Sequence, residues 1–342
     1  MEKEVSTTVI NTQPAKKREK SLDAVCGVLI IHMIVGHAFD WSHITDGVFI
    51  EWSNRFLFFF MAWFYFKSGM FHKEQSLSES VKKGYARYLK PYILYSFVGE
   101  LLRFVHIYRY GDTNVLHYSL SLIRDIALEG AVYGNLPLWF LLSLFIVKAI
   151  VSFFDDYNVP KSLALLIAFV TSFLLEDGGW YAFFIPCIVK NVLMGLLFYL
   201  SGCLLKRIQF CKSSLFISLL VSFFAIFLYP SHVDFRTGSI LQGVWIMYVI
   251  SSLALILLVN NLFAIKIFQI SFLVNIGRNS LSYYCVHWIL FEIVFMICDY
   301  AWLFDTGHTN YMAFWTLIIC CVVFLPLYSY LANIIKLRFN DR

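Results

Sequence analysis

The chain has 342 residues, 60% of them hydrophobic and only 14% charged, with 35 Phe, 20 Tyr, 9 Trp and a formal net charge of +5. A soluble domain carries nearer a quarter charged residues, so the composition excludes a globular protein that folds in water. Apolar runs of roughly 18 to 22 residues recur along the chain, enough to cross about 30 Å of hydrocarbon. They predict an all-α, polytopic membrane bundle of about ten transmembrane helices.

Residues 1–20 are polar, carry Lys3, Lys16, Lys17, Arg18 and Lys20, and read as a cytoplasmic tail. The first apolar run ends at Gly36-His37-Ala38-Phe39-Asp40 with no small-residue cleavage site, and reads as a retained helix rather than a signal peptide. Spans are predicted at 22–40, 52–72, 89–109, 137–154, 162–176, 183–205, 213–229, 240–260, 280–303 and 311–335. Together they make one transmembrane domain over 21–335, followed by a second tail at 336–342. The longest outer connection, roughly 110–136, is predicted to carry an interfacial helix around Val115 to Leu128.

Alternating the spans puts the basic tail, Lys73, Lys82, Lys83, Arg87, Lys90, Lys161, Lys206, Arg207, Lys212, Lys266, Arg278 and the C-terminal Lys336, Arg338 and Arg342 on one side. Only Arg55, Arg103, Arg109, Arg124 and Arg236 fall on the other. Positive-inside bias then places both termini in the cytoplasm, most simply of a bacterial inner membrane, and accounts for the net charge without a nucleic-acid partner. The eight cysteines lie in or beside spans with no metal-like spacing, and read as small apolar residues with no metal implied.

Ionisable side chains inside a span cost a few kcal/mol and ask for a reason. The first span holds Asp23, His32 and His37, with Asp40 at its end. At about 100° per residue, Asp23, Cys26 and His37 share an arc of roughly 60°, with Asp40 near its edge and His32 about 140° from His37. His37 with Asp40 suits a general base, since a carboxylate holds one ring nitrogen and leaves the other free to take a proton. A histidine that merely ties helices together fits the same spacing. In the ninth span, Ser280, Tyr284 and His287 share a face, and a second imidazole there suits substrate binding or helix pairing equally. Lys148 reads as snorkelling to the headgroups. Lys67 and Lys190 read as nearer the basic side, within reach of a phosphate-bearing ligand. The basic loop around Lys82, Lys83 and Arg87 suits either lipid headgroups or coenzyme phosphates.

Six segments, in order, carry a resemblance. Ser21-Leu22-Asp23-Ala24-Val25-Cys26-Gly27 through Gly36-His37-Ala38 opens the series, and Met61-Ala62-Trp63-Phe64-Tyr65-Phe66-Lys67-Ser68-Gly69 comes second. Arg87-Tyr88-Leu89-Lys90-Pro91 closes the basic loop, and Asn135-Leu136-Pro137-Leu138-Trp139-Phe140-Leu141 follows. Gly195 to Gly202 with Phe198, and Gly277-Arg278-Asn279-Ser280-Leu281-Ser282-Tyr283-Tyr284 with His287, complete it. In this order they resemble the acyltransferase 3 family of membrane acyltransferases, over about Ser21 to Leu331.

The resemblance implies transfer of an acyl group, usually acetyl from acetyl-CoA, onto a sugar hydroxyl of a glycan or lipid-linked acceptor. It makes His37 the catalytic histidine, with Asp40 beside it. Lys82, Lys83, Arg87 and Lys67 are then expected at the acyl-CoA donor, and His287, Tyr284 and Trp139 at the acceptor substrate. Cys26 stands where the family pattern has a basic residue, and Ala62 where it has proline. No esterase-like domain follows the last span, so the membrane domain is expected to complete the transfer alone. The rival reading from another class is a proton-coupled transporter, in which intramembrane Asp, His and Lys form a relay; the paired broken helices of two related halves are not evident in the sequence.

Overall fold

The computed structural model describes residues 19–45, 47–109, 115–176, 185–205, 212–298 and 309–340. Most of the N-terminal tail, Lys206, Arg207, the first residues of the span at 183–205, the last of the span at 280–303 and the extreme C-terminus lie outside them.

The fold is helical. Helices α1 (Lys20–Trp41), α2 (Val48–Leu57), α3 (Phe60–Met70), α4 (Leu77–Gly84) and α5 (Lys90–Arg109) come first, then α6 (Val115–Glu129), α7 (Trp139–Asp156), α8 (Lys161–Glu176) and α9 (Cys187–Leu205). The chain ends with α10 (Lys212–Phe223), α11 (Trp245–Ala264), α12 (Ser271–Arg278), α13 (Ser280–Ile297) and α14 (Tyr311–Asn340). Helix occupies each of the ten segments read from hydropathy, and α6 covers the expected interfacial helix. Among the described residues, however, six stretches are long and apolar enough to cross a membrane: Lys20–Trp41, Tyr118–Asp156, Cys187–Leu205, Trp245–Ala264, Ser280–Ile297 and Tyr311–Ile335. Two shorter apolar helices, Lys161–Leu175 and Leu215–Leu228, accompany them.

Two expected spans are corrected. The segment 52–72 is not one helix: it breaks at Phe58 and Phe59, whose rings are buried and packed inward, Phe58 at 5.7 Å from Tyr248. Before the break α2 buries no residue and carries an Arg55–Glu51 pair at 2.7 Å, so it is a surface helix rather than the start of a span. The segment 240–260 does not start as helix either. Strand β1 (His232–Asp234) pairs antiparallel with β2 (Ser239–Gln242), Val233 opposite Ile240 and Asp234 opposite Ser239. The connecting turn is held by Asp234, which accepts hydrogen bonds from the Arg236 N–H at 3.0 Å and the Thr237 hydroxyl at 2.9 Å, and Gly238 takes its left-handed position at φ 70°.

Close helix pairing explains four glycines of the sequence motifs, though not Gly36, where a Cβ would meet nothing within 4 Å. A Cβ at Gly69 on α3 would collide with the carbonyl of Tyr199 on α9, and one at Gly202 on α9 with the carbonyl of Phe66 on α3. Gly27 on α1 and Gly277 on α12 interlock in the same way, against Leu273 and Asp23. Without a hydrophobic drive between helices in lipid, such close approach is what holds pairs together. Large aromatic side chains fill the space between pairs: Trp63, Tyr65, Phe66, Phe198, Tyr199, Tyr248 and Phe291 are almost fully buried. By contrast α14 leaves Trp315, Val322, Phe324, Leu327 and Tyr330 exposed, the surface of a helix that meets lipid.

Two irregular turns set the site. Pro91 has no N–H to give the carbonyl of Arg87, and the backbone ahead of it slips into a π-turn at Tyr85–Leu89, in which the Lys90 N–H reaches back to Tyr85. Between α6 and α7, a 3-10 link at Tyr133–Leu138 kinks at Asn135 (φ −153°, ψ 68°). The Asn135 side chain donates to the Cys285 carbonyl at 3.0 Å, and the Pro137 carbonyl accepts from the Tyr284 hydroxyl. The Asn-Leu-Pro-Leu-Trp motif is thereby tied to α13 at two points, which orients Trp139 at the start of α7.

Candidate active site

Two cavities lie on either side of a constriction in the bundle. The first, of about 160 Å³, is lined by Cys26, Met33, Met61, Lys67, Ser68, Arg87, Ser280 and Tyr284 among others. The second, of about 570 Å³, is lined by Met33, His37, Asp40, Met61, Trp139, His232, Arg236, Tyr284 and Trp288 among others. Met33, Met61 and Tyr284 line both, so three side chains from α1, α3 and α13 form the divide. One face of α1 serves both spaces, with Cys26 in the first and His37 in the second, about 16 Å apart along the axis at 1.5 Å per residue.

His37 is partly exposed to the second cavity. Its ring stacks on that of His287, centroids 5.5 Å apart and planes 18° from parallel, and meets the Trp288 ring edge-on at 5.3 Å. Its Nδ1 stands 3.5 Å from Oδ2 of Asp40, at ion-pair rather than hydrogen-bond range, and Asp40 is 77% exposed. So open a pair contributes little energy and mainly orients the ring. Asp23 shares the helical face but not the site: it lies near the far end of α1, 3.5 Å from Arg278. His32 faces Phe60 at 5.3 Å and lines neither cavity.

His287 is fully buried. Its Nδ1 lies 2.8 Å from the carbonyl of Tyr284 and 3.2 Å from that of Tyr283, so this nitrogen carries the proton and donates. Its Nε2 is left as an enclosed acceptor with no partner among the described residues. Tyr284 and Trp139 both line the second cavity, and Trp139 stacks on Phe235 at 6.3 Å.

The four residues expected at the donor separate. Lys67 and Arg87 line the first cavity, Lys67 with its ammonium 4.9 Å over the Trp63 ring and Arg87 on the π-turn with its guanidinium 5.6 Å over Tyr88. Lys82 and Lys83 are exposed on α4, outside both cavities, and Lys83 is paired with Glu79. Lys190 is corrected: it adjoins Asn191, whose side chain donates to the Arg236 carbonyl at 3.3 Å, which puts it beside the hairpin and away from Lys67. Lys148 reaches the Tyr199 hydroxyl at 3.3 Å rather than the headgroups. Among the described residues no group of three or more His, Cys, Asp or Glu could hold a metal ion.

Sequence reasoning missed the hairpin wall. His232, Asp234, Phe235 and Arg236 all line the second cavity, and Arg236 is latched to Glu129 at the end of α6. Pro230, Gly238 and Gly243 were the available signals, turn residues bracketing two short apolar pairs, Val233 with Phe235 and Ile240 with Leu241. Trp288 was missed as well, since one more aromatic residue in a Phe-rich span carries no signal of its own.

A family profile described as an acyltransferase domain, that of acyltransferase 3, matches residues 19–331. No curated protein and no solved structure matches the chain. The match takes in α1 through most of α14, with both cavities inside it, and the chain belongs to the acyltransferase 3 family of integral membrane acyltransferases.

Proposed function

We propose that the chain O-acetylates a sugar hydroxyl of a surface or exported polysaccharide, with acetyl-CoA as donor substrate and His37 as base. The observation that carries this reading is the pair of cavities meeting at Met33, Met61 and Tyr284, cationic on one side and imidazole-lined on the other. Lys67 and Arg87 supply charge-assisted donors suited to the phosphates of the coenzyme, while its slender thioester arm extends toward the divide. On the other side His37 takes the proton of the acceptor hydroxyl as that oxygen attacks the thioester carbonyl. The C–S bond then breaks, and the leaving thiolate takes the proton back from His37. Trp139 stacked on Phe235 offers a flat apolar wall against which a sugar ring of a glycan or lipid-linked acceptor rests.

In this reading the chain crosses a bacterial inner membrane about ten times, with both termini and the Arg87 side in the cytoplasm and the His37 side facing out. A reporter fused after Arg342 then behaves as cytoplasmic and one fused near Asp305 as external; the reverse pattern removes the orientation. The function itself is tested by comparing acetate released by mild base from the surface glycans of cells with and without the chain. Equal release from both would end the acetylation reading.

A further inference from the structure

Trp288 follows His287 on α13 and lines the second cavity. Its ring meets His37 edge-on, centroids 5.3 Å apart and planes at 87°, and is wedged from another side by Trp41 at 5.3 Å and 79°. The indole N–H is enclosed and has no acceptor among the described residues. An indole nitrogen can only donate, and a buried donor left unmatched forfeits the hydrogen bond it would make in water. Elsewhere in the bundle the Trp63 indole meets that need with Asn260 at 2.8 Å. Trp245 also lacks an acceptor, but it sits among Phe169 and Phe173 and lines neither cavity. What sets Trp288 apart is the conjunction of an unmatched donor, a cavity wall and contact with the base.

We propose that the Trp288 N–H is the hydrogen-bond donor for the thioester carbonyl oxygen as it becomes an oxyanion, a proposal that rests on the acyl-transfer reading above. When the hydroxyl oxygen bonds to the thioester carbon, the carbonyl π pair moves onto oxygen while the hydroxyl proton passes to His37. The oxyanion accepts the Trp288 hydrogen bond. When the π bond re-forms, the C–S bond breaks, the sulfur leaves with that electron pair, and the His37 proton returns to it. Two of the other donors on the same wall are engaged, the Tyr284 hydroxyl by the Pro137 carbonyl and one Arg236 nitrogen by Glu129. Of the rings touching His37 among the described residues, Trp288 is the one that brings an unmatched N–H. A donor held in a closed site before charge develops is worth far more than one that must reorganise, and removing one such donor typically costs about 10² to 10³ in turnover.

The test uses membrane vesicles from expressing cells, which carry their own acceptor, supplied with radiolabelled acetyl-CoA. Label entering glycan is followed for the wild type, for Trp288→Phe, and for the benzothienyl analogue of tryptophan at position 288, which keeps the indole shape and replaces N–H by sulfur. CoA binding to the purified full chain is measured in parallel. Both variants are expected to lose about 10² to 10³ in kcat, with KM for acetyl-CoA and the affinity for CoA unchanged. If Trp288→Phe fails to fold, the benzothienyl chain decides. Wild-type turnover in that chain overturns the proposal, and so does a loss carried by KM or CoA affinity, which makes Trp288 a packing residue. An inactive His37→Gln beside a fully active benzothienyl chain removes Trp288 alone and leaves the acyl-transfer reading standing. No label in wild-type membranes overturns both.

Discussion

Two histidine clusters, at opposite ends of the bundle, are built on opposite plans. Beyond the end of α3, His72 is buried with both ring nitrogens engaged: Nδ1 with the Tyr199 hydroxyl at 2.9 Å and Nε2 with Asp155 at 2.8 Å. Asp155 in turn holds Lys161 at 2.9 Å. That circuit offsets the cost of burying its polar groups and leaves nothing over for a ligand. Around His37 the arrangement is incomplete. Among the described residues His287 lacks a partner at Nε2 and Trp288 lacks one at its N–H, and His37 leans loosely on an exposed Asp40. A cluster that satisfies itself belongs to the architecture, whereas one that leaves buried valences beside a cavity is poised for a visitor to complete.

The largest expected effect comes from His37. Its Gln variant should lose at least about 100-fold in glycan acylation, since general-base transfer contributes about 10² to 10⁴, while expression and thermal stability in detergent stay near wild type. A folded, active variant would transfer the assignment to His287. His72 should behave in the reverse way. Replacing His72 with Phe deprives Asp155 and Tyr199 of buried partners and should cost about 1–3 kcal/mol of stability, read by melting in detergent, with turnover per folded molecule retained. If turnover falls and stability does not, the contrast between the two clusters collapses.

The pH dependence sharpens the same contrast. Burial lowers the His72 pKa below the ordinary imidazole value of 6.5, against the opposing pull of Asp155. The unfolded chain therefore binds this proton more readily than the native one. The contribution to stability is complete above about 6.5, the unfolded imidazole value, and is lost as pH falls below it. Melting temperature followed from pH 8 to 5 should drop on the acid side in the wild type, and drop less in His72→Phe.

Arg87 and Lys83 give the smaller effects. Arg87→Ala should raise KM for acetyl-CoA by about 10- to 150-fold with little change in kcat, because a charge-assisted phosphate contact worth about 1.5–3 kcal/mol serves ground and transition states alike. Lys83→Ala, which removes an exposed partner of Glu79 outside the cavity, should leave KM within about twofold. Equal shifts from both would return the whole loop to the lipid headgroups.

Hydropathy made the membrane class and the helices legible, and the motif glycines marked the places where α1 meets α12 and α3 meets α9. His37 was legible as an ionisable residue on one face of a span. Asp40 was legible from its spacing and His287 from the resemblance, but the contact of Trp288 with His37 was not, because which face of α13 turns toward α1 depends on packing between residues some 250 positions apart in the chain. The contrast between Arg87 and Lys83 was equally hidden. Both sit in one basic run, and only the π-turn ahead of Pro91 directs the first to a cavity while α4 leaves the second outside. The hairpin escaped because His232, Asp234 and Arg236 make its first strand and turn read as a polar connection between two spans, while Ile240 and Leu241 of the second strand blend into the apolar run that follows.

The glycine interlocks have a mechanical consequence. They fuse α1 with α12 and α3 with α9 into two stiff struts, while α1 and α3 themselves do not pack closely on each other. The Met33–Met61 divide spans the joint between these struts, and flexible thioether side chains tolerate changes of spacing that branched ones would resist. A small shear of one strut along the other would change the spacing at this divide without parting any glycine-tight contact. Among the described residues the boundary between α1 and α3 has no glycine interlock and is crossed by a long hydrogen bond from the Lys67 ammonium to the Leu22 carbonyl at 3.4 Å, so a change of spacing there disturbs little of the packing.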